Sequence, residues 1–125
     1  MQRKKKRLVR AGAVAIGGGQ PISVQSMLSV PHTRFDELER QALRLKEAGC
    51  ELVRMAVPDR PAVDALARLK ERTGLSLVAD IHFDYKLAIE AAAAGADKIR
   101  INPGNIGDSD RVKAVASACR AAGIP

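Results

Sequence analysis

Aromatic residues are almost missing from this chain of 125 residues, which contains two Phe, one Tyr and no Trp. Modules that read single-stranded nucleic acids stack bases on several aromatic side chains, so the composition argues against that class. The sequence also has no apolar run long enough to cross a bilayer. No apolar core of a signal peptide follows the basic start.

Cysteine is scarce as well. Cys50 and Cys119 lie far apart, and neither has a partner in a C-x-x-C arrangement. Zinc sites and cubane clusters need about four ligands, so two cysteines cannot hold either by themselves. Lone cysteines in a sequence without a secretion signal are typical of reduced thiols. We therefore predict a cytoplasmic location and no metal site formed by these residues alone.

Acidic residues are absent from the first 35 positions, which carry seven Lys and Arg. From Asp36 onward, 14 Lys and Arg stand against 14 Asp and Glu, so the rest of the chain is neutral. We predict a basic, disordered tail at residues 1–7 and a folded domain at residues 8–125. A non-catalytic module whose tail contacts nucleic acid is the alternative that this charge distribution leaves open.

What the sequence does contain is a repeat. Helical stretches of amphipathic character end at Gly49, Gly74, Gly95 and Gly123, at intervals of 21 to 28 residues. Glycine after a helix adopts the left-handed conformation that turns the chain into the next element. The first three of these glycines precede nearly continuous apolar runs, which are typical of strands buried on both faces. Strand–helix units that alternate in this way predict a parallel sheet, either doubly wound or in a barrel.

The predicted elements fit the first half of a barrel. A short hairpin at residues 8–9 and 14–16 surrounds Gly12, and a first strand is predicted at residues 22–25. Counted from that strand, about four strand–helix units follow the hairpin, whereas a complete (β/α)8 barrel has eight units and about 250 residues. The predicted fold class is therefore α/β, the N-terminal half of a (β/α)8 TIM-type barrel preceded by a short β-hairpin.

Polar residues follow the buried run of every unit, where barrel enzymes place their active sites. The run at 98–101 leads into a loop containing Pro103, Gly104 and Gly107, and such backbone can approach phosphate oxygens closely. Two arginines with amides, an acid and a histidine suit a multiply anionic, hydroxyl-bearing ligand such as a diphosphate. The candidate binding residues are Gln25, Arg54, Asp80, His82, Arg100 and Asn102.

Each candidate also has a purely structural interpretation. Asp80 could cap the turn into the following helix, as Asp often does. His82 could be an ordinary loop histidine. Arg54 could pair with a carboxylate of the next unit. The sequence by itself leaves these alternatives open.

Three segments together resemble the hydroxymethylbutenyl diphosphate synthase family: residues 21–27 (PISVQSM), 79–85 (ADIHFDY) and 98–107 (KIRINPGNIG). The resemblance implies the reductive opening and dehydration of 2-C-methyl-D-erythritol 2,4-cyclodiphosphate to 4-hydroxy-3-methylbut-2-enyl diphosphate in isoprenoid biosynthesis. It implies a [4Fe-4S] cluster, ferredoxin or flavodoxin as electron donor, and a homodimer. By position, Arg54 and Arg100 match arginines that grip the diphosphate, and the other four candidates match polar residues of that pocket.

The sequence departs from the family in two respects. Leu28, Ser29 and Val30 stand where the family usually has Thr-Asn-Thr, so the resemblance assigns no role to that loop. The family's cluster ligands lie in a later domain, and the resemblance therefore implies that these 125 residues alone are inactive. A pterin-binding barrel of the dihydropteroate synthase type, which similarly uses Asp, Asn and Arg at strand ends, remains a rival.

Overall fold

The structure, a computed structural model, describes residues 7–125, so the predicted basic tail lies outside the described residues except for Arg7. Among those residues, none of the helices has the length and apolar character needed to cross a membrane. The elements in chain order are β1 Val9–Ala11, β2 Val14–Ile16, β3 Gln25–Met27, α1 Phe35–Glu47, β4 Leu52–Ala56, α2 Arg60–Thr73, β5 Ser76–Ile81, α3 Tyr85–Ala94, β6 Lys98–Ile101, α4 Pro103–Ile106 and α5 Ser109–Ala122.

Strands β3 to β6 form one parallel sheet in the order in which they occur along the chain. A helix follows each strand, which confirms the predicted α/β fold with four strand–helix units. Every residue of β5 is buried. Helices cover one face of the sheet, and the hairpin of β1 and β2 covers part of the second. At the far edge of β6, the Ile99 N–H donates a hydrogen bond of 3.0 Å to the carbonyl of Pro125.

The main core lies between the sheet and its helices. Val53, Leu77 and Ile81 alternate along their strands so that all three face the helices, where they are almost fully buried. Leu66 and Leu69 supply the matching apolar stripe of α2. This layer fixes which strand residues remain for the opposite face, which we call the inner face.

The hairpin of β1 and β2 covers the amino-terminal part of the inner face. Ala11 and Val14 pack against Leu52, the first residue of β4, and against Val78 in β5. The carboxyl ends of the strands are left uncovered by this hairpin. The predicted hairpin is confirmed, and its position leaves the end of the sheet that carries the polar residues accessible.

Gly12 at the hairpin turn makes an unusually close contact with the sheet. Its φ is +59°, and a Cβ there would lie 2.7 Å from both Asp97 Oδ1 and Ser76 Oγ. Asp97 is itself buried and held in place, since it accepts hydrogen bonds from Lys70 Nζ at 2.6 Å and from the Leu77 N–H at 2.8 Å. The turn therefore requires a residue without a side chain.

We expect Gly12→Ala to lower the free energy of unfolding by about 3 kcal/mol, from left-handed strain plus overpacking. Gly74→Ala is the matched control, because Gly74 has a φ of +68° and no atom within 4 Å of the added Cβ. That variant should lose only about 1 kcal/mol. Urea unfolding of both variants measures the difference, and equal losses would show that the close contact contributes nothing.

The predicted first strand is wrong by several residues. The sequence predicts this strand at residues 22–25, but β3 spans Gln25–Met27. Ile22 is 95% exposed, and Val24 is joined to the next unit through its backbone. Its carbonyl accepts hydrogen bonds from the N–H groups of Glu51 and Leu52, and its own N–H donates to Glu51 Oε1 at 3.2 Å. Among the described strands, β3 pairs with β4 alone, so the apolar residues before it are not forced into a core.

Candidate anion-binding site

Parallel pairing brings the polar strand-end residues onto one face. Asp80 of β5 pairs in register with Ala56 of β4 and with Arg100 of β6, and Arg54 lies two residues before Ala56. Side chains two residues apart in a strand share a face, so Arg54, Asp80 and Arg100 all lie on the inner face. They sit toward its carboxyl end, which is where barrels bind their ligands.

Three basic side chains converge on the Asp80 carboxylate, which is only 2% exposed. Oδ1 accepts a hydrogen bond of 2.8 Å from Arg100 Nη1. Oδ2 lies 3.5 Å from Arg54 Nε and 3.3 Å from His82 Nε2. We call these four residues the Asp80 cluster. Two guanidinium groups against one carboxylate leave the cluster with a net positive charge.

The cluster keeps Asp80 ionised. Burial acts to raise the pKa of this carboxyl, but the hydrogen bonds and charges of Arg100 and His82 outweigh it and hold the pKa below its ordinary value. A carboxylate in this state accepts hydrogen bonds and has no proton to give near neutral pH. Asp80 is therefore suited to orient the two arginines and not to act as a general acid.

The two arginines are held differently. Arg100 has a direct hydrogen bond to Asp80, and its side chain remains 48% exposed. Arg54 is more enclosed, and its Nε is buried without a hydrogen-bond partner within the described part of the chain. Its Nη2 lies 3.4 Å from Met27 Sδ, which is a weak acceptor. Both guanidinium groups thus keep bonding capacity that an anionic ligand can use.

The other two candidates lie outside the Asp80 cluster. Gln25 pairs in register with Leu52, so it lies on the inner face nearer the amino-terminal end of the sheet. Asn102 Oδ1 accepts a hydrogen bond of 3.1 Å from the Gly104 N–H and so caps α4. Across residues 7–125, no hydrogen bond or ion pair joins either side chain to the cluster.

The structure bears on the structural interpretations of Asp80 and Arg54. The helix cap that Asp80 could have supplied is instead Asp84, which accepts a hydrogen bond of 3.0 Å from the Lys86 N–H. Arg54 does pair with a carboxylate of the next unit, as its structural interpretation required. That carboxylate is Asp80, however, which also binds Arg100 and His82, so the pair is part of a larger polar cluster.

Two neighbours of the cluster were not predicted. Met27 contacts Arg54. The sequence feature that could have identified Met27 is its position two residues after Gln25, on the same face of the strand. Phe83 follows His82 directly and is 72% exposed. Its signal was an aromatic side chain next to a polar strand end in a chain with very few aromatics.

The described residues do not fit an iron–sulfur cluster. Cys50 and Cys119 are both buried, and burial raises the pKa of the Cys119 thiol, which disfavours the thiolate that binds a metal. No group of three or more His, Cys, Asp and Glu in residues 7–125 is arranged to hold a metal ion. A [4Fe-4S] cluster needs about four such ligands, and the described residues do not supply them.

Similar folds occur among solved structures. Dihydropteroate synthase from Xanthomonas albilineans matches 94% of this chain and 47% of its own chain, with a TM-score of 0.69 and 20% identity. The enzyme from Burkholderia cenocepacia complexed with 7,8-dihydropteroate gives a TM-score of 0.61 at 19% identity, with 94% of this chain and 60% of its own covered. At this level of identity, the likeness shows a shared fold.

The relatives by sequence are closer. The 4-hydroxy-3-methylbut-2-en-1-yl diphosphate synthases (flavodoxin) of Anoxybacillus flavithermus and Azotobacter vinelandii are each 49% identical over the whole of this chain. The match covers 34% of each of them, so the chain spans about a third of their length. The model of the GcpE TIM-barrel domain matches residues 6–125. The chain therefore belongs to the GcpE TIM-barrel domain family.

Proposed function

We propose that this chain is the substrate-binding portion of a 4-hydroxy-3-methylbut-2-enyl diphosphate synthase and binds the diphosphate of 2-C-methyl-D-erythritol 2,4-cyclodiphosphate. The observation that carries the proposal is the net positive charge of the Asp80 cluster at the carboxyl end of the sheet. Guanidinium groups present paired donors that match the oxygens of a phosphate group. A diphosphate satisfies this arrangement better than a singly charged ligand.

The residues divide the work of binding between them. Arg100 and Arg54 donate to the diphosphate, while the ionised Asp80 carboxylate fixes their position. His82 contacts the same carboxylate and borders the open end of the cluster. Gln25 and Asn102 remain predicted substrate-binding residues, and each would have to reach the ligand from outside the cluster.

The reaction of the whole protein is a proposal that follows from this binding role and from the relatives' names. One C–O bond to the ring diphosphate breaks, a hydroxyl leaves as water, and a C=C bond forms. Two electrons enter, with two protons when the phosphates are counted in neutral form. The side chains of Arg, Asp and His are not redox-active and cannot deliver the two electrons. We therefore infer that the 125-residue chain binds the substrate without converting it.

The electron donor and the assembly of the whole protein are proposals of the same kind. The relatives carry flavodoxin in their names, and we propose flavodoxin as the donor in preference to ferredoxin. A homodimer and a cytoplasmic location remain predictions, as does the supply of electrons through an iron–sulfur cluster bound outside these residues.

The rival ligands are less well supported. The likeness to dihydropteroate synthases is limited to the fold. A pterin ring has no negative charge to complement the two arginines around Asp80. The nucleic-acid hypothesis rests on residues 1–7, almost all of which lie outside the described part of the chain. A truncation that removes residues 1–7 separates this hypothesis from the proposed one.

Calorimetric titration tests the proposal directly. We expect the 125-residue chain to bind 2-C-methyl-D-erythritol 2,4-cyclodiphosphate, and to bind it less tightly as the salt concentration rises, because salt screens charged contacts. Removal of residues 1–7 should leave this affinity unchanged, and 7,8-dihydropteroate should not compete. Absence of binding by a folded chain, or displacement by the pterin, would contradict the proposal.

A further inference from the structure

Phe83 is an exposed aromatic side chain at the border of the Asp80 cluster. It lies between β5 and α3, is 72% exposed, and is one of only two Phe in the chain. Its ring meets the His82 ring edge to face, with 6.2 Å between the ring centroids and an angle of 82° between the planes. A large apolar side chain exposed beside a charged cluster is a feature that the anion-binding role does not use.

Beside this ring lies a small cavity of about 140 Å³, which we call the apolar recess. Its apolar lining comes from the end of β4 with the segment after it and from the region of α3: Ala56, Val57, Pro58, Phe83 and Leu87. Asp80 and His82 line it as well, so the recess shares a wall with the cluster. The remaining acid of the lining, Asp84, is engaged as the cap of α3.

The size and the position of the apolar recess define what it can hold. An engineered apolar cavity of about 150 Å³ accommodates benzene, so this volume is enough for a hydrocarbon group of about five or six carbons. The shared wall places such a group next to the anion held by Arg54 and Arg100. The two parts together form a site with one charged and one apolar compartment.

We infer that the apolar recess binds the carbon skeleton of the ligand, and that Phe83 determines specificity by contacting it. This inference rests on the proposed diphosphate-binding function and adds a residue that determines specificity at the same site. Phe83 covers the carbon skeleton while the cluster holds the phosphates. The Phe83 ring is mostly exposed in the free chain, so contact with the carbon skeleton would bury apolar surface of the ring that is now in water.

Two probes of similar charge and different carbon content test the inference on the 125-residue chain. Methyl diphosphate reports the charged compartment alone, and 3-methylbutyl diphosphate reports both compartments. We expect the branched ester to bind about tenfold more tightly, which corresponds to burial of roughly two methylene groups. In Phe83→Ala this preference should fall to about twofold or less, with the affinity for methyl diphosphate unchanged.

Two further variants complete the experiment. Ile22→Ala removes an apolar side chain that is 95% exposed and lies before β3, so it should change neither affinity. Phe83→Leu keeps an apolar side chain and should retain part of the preference. Thermal melting monitored by circular dichroism verifies that each variant is folded. We expect all of them to fold, because Ile22 and Phe83 are both exposed.

The outcomes separate the two proposals. Equal affinities for the two esters would overturn the apolar recess and leave the diphosphate-binding function intact. If Phe83→Ala lowers the affinity for both esters by the same factor, the inference is also overturned, because the ring would then act by holding His82 in place. Failure of the folded parent chain to bind either ester would contradict the proposed function, and the inference would fall with it.

Discussion

Replacement of Arg100 by alanine is expected to weaken the binding of 2-C-methyl-D-erythritol 2,4-cyclodiphosphate by about 10- to 100-fold. Charge-assisted hydrogen bonds contribute roughly 1.5–3 kcal/mol each, which corresponds to that range. Arg100 is half-exposed and already oriented by its hydrogen bond to Asp80, so it needs little reorganisation to meet the ligand. Isothermal titration at constant salt measures the change.

Arg60→Ala is the matched control for this prediction. It removes the same charge from the exterior of α2, where Arg60 pairs with Glu90 at 2.7 Å and is 79% exposed. Arg100→Lys keeps the charge but loses the forked donors, so an intermediate affinity is expected. If Arg60→Ala weakens binding as much as Arg100→Ala does, the effect is general electrostatic attraction. If Arg100→Ala binds as the parent does, Arg100 is not part of the site.

Asp80→Asn should cause the largest loss of stability among changes to the site, about 3 kcal/mol in the free energy of unfolding at neutral pH. Removal of one partner from a buried ion pair leaves the other charges uncompensated. Here the remaining groups are two guanidiniums and an imidazole, and the Nε of Arg54 is buried. Urea unfolding of the parent and the variant measures the loss.

The same pair of proteins has a predictable pH dependence. The folded-state pKa of Asp80 lies below its ordinary value of 3.8, so its stabilising effect is fully present above that value. It is lost as the pH falls through the lower folded-state pKa, where the carboxylate takes up a proton. The difference in unfolding free energy between the parent and Asp80→Asn should therefore stay constant between pH 7 and about pH 5 and shrink in stronger acid.

Asp64→Asn provides the comparison, because Asp64 is an exposed acid of α2. We expect this variant to unfold within about 0.5 kcal/mol of the parent, as is usual for surface changes. If Asp80→Asn is no less stable than Asp64→Asn, the carboxylate does not anchor the cluster. If the stability difference between Asp80→Asn and the parent grows on acidification, the direction of the pKa change is wrong.

Local sequence signals were sufficient for most of the fold. Gly74, Gly95 and Gly123 each end a helix in the left-handed conformation, as their spacing predicted. The largely apolar runs that follow Gly49, Gly74 and Gly95 form β4, β5 and β6, and β5 is the clearest case because all of its residues are buried. The predicted first strand is misplaced because Ile22 and Val24 are exposed, so their apolar character carries no information about burial.

The site was only partly accessible to the same reasoning. The rule that ligands bind at the carboxyl ends of strands selected all four members of the Asp80 cluster. It could not show that Asp80 is the common partner of the other three, since that depends on the register in which Ala56, Asp80 and Arg100 align. The rule also grouped Asn102 with them, although its side chain caps α4.

The sequence by itself determined the order of strands and helices, the presence of the hairpin, and the set of polar residues at the strand ends. These features depend on the periodicity of apolar residues and on the backbone freedom of glycine, and both act within a few residues. Only the tertiary structure decided which polar residues touch. Contacts across strands depend on register and on side-chain length, and these joined Arg54, His82 and Arg100 to one carboxylate and placed Phe83 beside an apolar recess.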